Sequence, residues 1–110
     1  MTDDSRHDEI LNEPPAELDG ARVLWWAWSG ERPFGELPGA PDDERWIHGF
    51  AICRYSGSTT CYRFSCNSRW EVVQDATYDD EEQAKESLPA QYDRDRVTWN
   101  RVIDDGRESL

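Results

Sequence analysis

The sequence contains no run of about 18 apolar residues, and its opening, MTDDSRHDEI, has no basic stretch leading into an apolar one. Neither a membrane-spanning helix nor a secretory leader is expected, and a cytoplasmic setting is. The three cysteines, Cys53, Cys61 and Cys66, are an odd number, which in that setting points to reduced thiols rather than a disulfide scaffold. A nucleotide fingerprint is missing, because GERPFGELPG at 30–39 has neither the glycine spacing nor a following helix. Basic stripes that would grip nucleic acid are missing too. Apolar residues make up only 36% of the 110, so a core must come from few, large side chains.

Those side chains are aromatic: six Trp, four Tyr and three Phe. The length fits one domain. The densest stretch, RVLWWAWS at 22–29, reads as a strand. Alternation puts Trp26 and Trp28 on one face with Leu24, and Trp25 on the other with Val23 and Ala27. Neither face is polar, so a sheet built on this strand needs a lid on both sides.

Charge is uneven. The formal total is −12; residues 1–20 hold seven acids against Arg6, and residues 104–110 hold three against Arg107. Both ends are read as acidic arms outside a domain at 21–103, the first carrying two consecutive prolines. Within the domain the run DDEEQAKE, 79–86, stands out. Such a balance repels phosphate and favours a basic protein surface.

Residues 29–44, with three Pro and three Gly, read as a long irregular loop carrying one unexplained aromatic, Phe34. Three strands follow within 46–75, separated by YSGST and CNSR. Since a one-residue slip exchanges the faces, burial selects the register that pairs Cys66 with Trp70, Phe64 with Val72, Ile52 with Phe64 and Phe50 with Cys66. Trp46, Phe50, Ile52, Tyr62, Phe64, Cys66, Trp70 and Val72 then form one apolar face. A helix of about ten residues is expected after Thr77, capped by Asp79 or Asp80, with Ala84 and Leu88 inward and Pro89 at its end. A last strand is expected at 96–103, Val97 and Trp99 opposite Thr98 and Val102. The fold class is α+β: a two-layer domain, an antiparallel meander sheet of about five strands with one helix packed on it.

Chemical sites are weak against their structural alternatives. Cys53, Cys61, Cys66 and His48 lack the paired spacing of structural zinc ligands; a Cys–His catalytic pair would need an activated thiolate, for which Arg63 beside Cys53 is a candidate cation, but His48 shares the face of Trp46 and Phe50 and reads as a structural histidine. Asp79, Asp80, Glu81 and Glu82 are explained as helix-start acids. No cofactor and no metal is implied. The candidate binding residues are Trp26, Trp28, Phe34 and Arg63, residue types that dominate interfaces; the competing reading is that the loop or the N-terminal arm folds over them.

The expectation is a small acidic, non-enzymatic protein-binding module engaging a basic partner, with neither nucleic acid nor membrane as its target. Inhibitors and immunity-type proteins that cap a basic enzyme share these features by class analogy alone. The alternative is a small-ligand domain or modest enzyme with a pocket between the sheet and the 29–44 loop, lined by Trp28, Phe34 and Trp46. Pairing into a homo-oligomer through exposed tryptophans or strand edges is a competing outcome. Nucleic-acid mimicry is disfavoured, since most of the excess acid lies at the two ends.

Overall fold

The computed structural model describes residues 12–102. The chain enters through β1 (Glu17–Leu18), turns back at once, and runs along β2 (Ala21–Trp28). Asp19 and Gly20 both have positive φ, 54° and 84°, the backbone that a two-residue antiparallel hairpin requires. The folded region thus begins before residue 21, at the end of the expected acidic arm. The rest of that arm, 1–11, and the tail 104–110 lie outside the described residues.

The segment expected as an irregular loop is ordered. It forms β3 (Gly35–Glu36), pairs it with β4 (Trp46–Ile47), and places the single turn α1 (Asp42–Arg45) between them. The meander follows: β5 (Gly49–Arg54), β6 (Cys61–Cys66) and β7 (Val72–Tyr78). Then come α2 (Glu81–Glu86), a 3₁₀ turn at Arg94–Arg96 and β8 (Asn100–Arg101). Only two residues of the expected 96–103 strand pair, yet Val97 and Trp99 do face one cluster and Val102 the other. The main sheet is antiparallel, ordered β1-β2-β5-β6-β7, with β8 beside β1 on the outer edge of β2. It curls, and α2 packs on one side, giving the expected two-layer α+β architecture.

Both faces are apolar. On the helix face Phe50 stacks on Phe34 with ring centroids 5.0 Å apart, meets Tyr92 edge-on, and shares its cluster with Ala27, Ile47 and Leu88. Ile52, Cys61 and Ala84 continue this layer beneath α2. The far face holds Ala21, Val23, Trp26, Ala51, Cys53, Phe64, Cys66 and Trp70. Trp26 and Trp28 do share that face, and Trp25 and Ala27 the other. Val23 and Leu24 depart from the expected alternation because a bulge lies between Val23, paired with Cys53, and Trp25, paired with Ile52.

The meander register differs from the expectation, by one residue between β5 and β6 and by two to three between β6 and β7. Phe64 lies opposite Ala51 and Asp75, Cys66 opposite Gly49 and Val72, and Ile52 opposite Arg63. The single eight-residue apolar face is therefore divided: Phe50 and Ile52 point to the helix, Phe64, Cys66 and Trp70 away, and Trp46 stands 44% exposed. The expected register gathers the bulky residues on a single face. With both faces covered, burial no longer forbids the slip.

One end of the far face, over Gly49, is closed by a single side chain. Trp70 has φ 61°, the left-handed region that non-glycine residues seldom occupy. Buried Asn67 holds it there: its carbonyl accepts from Trp70 N–H, and its side-chain oxygen accepts from the N–H groups of Arg69 and Glu71, both at 2.9 Å. The Trp70 ring then lies across Gly49, near enough that a Cβ there would stand 2.6 Å from its ring carbons. It meets Trp26 edge-on at 6.4 Å and Trp28 at 5.6 Å.

Candidate functional site: an acidic sheet edge

The expected contact residues do not form one surface. Trp26 is 7% exposed and Phe34 2%. Arg63, at 4%, points to the helix face, where it donates to the Ala84 carbonyl at 3.1 Å and lies over the Tyr78 ring at 5.0 Å. Trp28 is partly buried between Trp70 and His48. Trp26 and Trp28 thus sit on the side of the sheet opposite Phe34 and Arg63, and burial removes three of the four from contact. The 29–44 loop packs closely on the segment after α2. Gly35 lets it approach Gln91 and Tyr92 so closely that a Cβ would stand 2.6 Å from each, and Arg96 donates to the carbonyls of Ser29, Arg32 and Pro33. An open cavity of about 570 Å³ lies between residues 13–16, Trp26 and Asn100–Val102.

The thiols are divided in the same way, Cys53 and Cys66 on the far face and Cys61 under α2. Burial pushes the Cys53 thiol up to about 12, and Cys66 upward as well, so neither is an activated nucleophile. His48 accepts or donates at Nδ1 to the Ser29 hydroxyl, 2.9 Å away. Desolvation lowers its pKa, helped by nearby Arg96 and opposed by a hydrogen bond with the Gly30 backbone.

What reaches solvent is acid. Strand β7 closes the sheet and, among the described residues, pairs with β6 alone. Asp75 lies directly opposite Phe64, on the far face, and is exposed. The strand runs into Asp79 and then Asp80, which caps α2 by accepting from Gln83 N–H at 2.9 Å, while the Gln83 side chain accepts from Asp79 N–H. Residues 71–86 carry seven acids and one base, Lys85.

Few of these acids are neutralised. Glu81 accepts from Trp25 Nε1 at 2.7 Å and pairs with Arg54 at 3.1 Å. Glu82 is 3.6 Å from Lys85, whose Nζ caps the Trp25 ring at 3.2 Å. Glu71 is held below the usual carboxylate range by hydrogen bonds from Asn67 and then Arg69. Among the described residues, Asp75, Asp79 and Glu86 form no ion pair.

The bases nearby are spent on the fold itself. Arg63 and Arg94 donate to the carbonyls of Ala84 and Glu86, and Arg96 to three more. Arginines turned inward onto carbonyls and acids turned outward leave this edge negative. Sequence reasoning treated the acids as a helix start and passed over Asp75, although a lone charge inside an alternating strand is a recognised mark of a sheet edge.

No helix among the described residues is long and apolar enough to cross a membrane. Compared with family models, with curated proteins and with solved structures, the chain matches none.

Proposed function

We propose that this protein is a small non-enzymatic binding module that works in the cytoplasm and engages a protein partner with a basic surface, as inhibitors of basic enzymes do. The observation that supports it best is the acidic edge formed by β7 and α2, seven acids against Lys85, beside arginines already committed to internal acceptors. Acids placed this way speed encounter with a cationic surface, and salt weakens the attraction.

The test compares the wild-type protein with a variant neutralised at Asp75→Asn, Asp79→Asn, Glu82→Gln and Glu86→Gln, used as baits in extracts of the native host. The expected result is a basic protein held by the wild-type bait in low salt, released in high salt, and not recovered on the variant. Equal recovery on both baits, or no partner in low salt, would count against the proposal.

A further inference from the structure

The geometry points to the backbone of β7 itself as the docking element: we infer that an extended basic segment of the partner adds to the sheet as the next strand, an inference that rests on the acidic-edge reading above. Three observations carry it.

The edge is open. Among the described residues β7 pairs with β6 only, so alternate residues over Val72–Tyr78 present N–H and C=O groups outward. Seven residues make a full-length strand. The usual guards of such an edge are proline, lysine and a bulge in its middle. Here the strand has no proline and no lysine, and its register shift lies at its start, between Ser65 and Cys66 of the partner strand. Its central charge is Asp75.

That charge also selects the occupant. A second copy pairing two-fold about Asp75 would set Asp75 against Asp75 at the centre and Glu71 against Asp79 at both ends, like charges at three positions, which is destabilising. A strand carrying Lys or Arg at two positions four residues apart would instead place both on one face, opposite Asp75 and Asp79. Between those two acids only Thr77 shares their face; Tyr78 turns to the helix side. The guard against self-pairing is thus the recognition element for a cationic strand.

The experiment titrates the ¹⁵N-labelled protein with a nine-residue peptide of threonine and valine bearing lysines four apart, and with the same peptide carrying proline at its centre. The expected result is that amide exchange slows at alternate residues of β7, that the proline peptide binds at least about tenfold more weakly, and that Asp75→Lys costs about tenfold. A peptide with glutamate in place of lysine should recover binding to Asp75→Lys; the milder Asp75→Asn, checked by circular dichroism, guards against a folding effect. Salt-sensitive binding that perturbs α2 but leaves β7 exchange unchanged would overturn strand addition while sparing the acidic-edge reading. No binding by either peptide would overturn both. Concentration-dependent β7 protection without peptide would show self-pairing and overturn the assigned occupant.

Discussion

Replacing Gly49 by alanine tests how the far face of the sheet is closed. The added methyl carbon would stand 2.6 Å from Cζ3 and 2.7 Å from Cη2 of Trp70, where ordinary carbon contacts need about 3.5 Å or more. The ring must therefore retreat by roughly 1 Å. It is not free to do so: Asn67 fixes its backbone at φ 61°, and Trp26 and Trp28 pack against its plane. Overpacking of this kind costs about 1–3 kcal/mol. Trp70→Ala alone should cost more, about 3–5 kcal/mol, by uncovering Cys66 and Trp28 and leaving a void. With Trp70 gone, however, alanine at 49 has room, and its gain over glycine in a strand, roughly 0.5–1 kcal/mol, is realised. The two substitutions must then couple, Gly49→Ala changing from harmful to neutral or helpful. Urea unfolding of the four proteins, followed by far-UV circular dichroism because fluorescence loses a reporter, measures that coupling. Additive effects within about 0.5 kcal/mol would refute the account of Trp70 as the lid.

The other predictions concern separate devices. Arg63→Ala should lose about 2–4 kcal/mol, by opening space beneath α2 and leaving the Ala84 carbonyl unmet, whereas Arg63→Met should recover much of it; chemical denaturation of both variants decides. Asp80→Ala should cost about 0.5–2 kcal/mol through its lost cap and raise amide exchange in α2. His48 has a lowered folded pKa, so the unfolded chain binds the proton more readily; its contribution to stability is full above pH of about 6.5 and falls as pH drops below that, by at most about 1.4 kcal/mol per pH unit. A His48→Gln variant should flatten the denaturation midpoint across that window, and an unchanged slope would contradict the assignment.

Where chemistry is local, the sequence was informative. Alternation marked β2, the aromatic spacing marked the meander, and Asp80 with Ala84 and Leu88 marked α2, though the helix proper stops at Glu86, shorter than expected. The dipeptide Asp19-Gly20 was also a hairpin signal, hidden among prolines and acids that read as an arm. Register was not legible, because Gly49, Ala51 and Cys53 are small residues that look like a face without a core, yet they belong to the cluster of Trp26, Phe64 and Trp70, with Trp70 lying across Gly49. Nothing in a tryptophan announces a positive φ. Phe34 and Arg63 resemble contact residues by type. Their burial depends on Gly35 allowing a close approach and on α2 offering a carbonyl, features of tertiary geometry rather than of composition.

A photo-crosslinking amino acid at position 75, compared with the same probe at exposed Glu31 on the 29–44 loop and at exposed Arg101 on the opposite edge of the sheet, tests the docking claim most directly once a partner is in hand. Attachment from position 75 through a lysine- or arginine-rich extended segment is the predicted result. Attachment from position 31 or 101 with none from 75 would place the partner elsewhere and contradict the account.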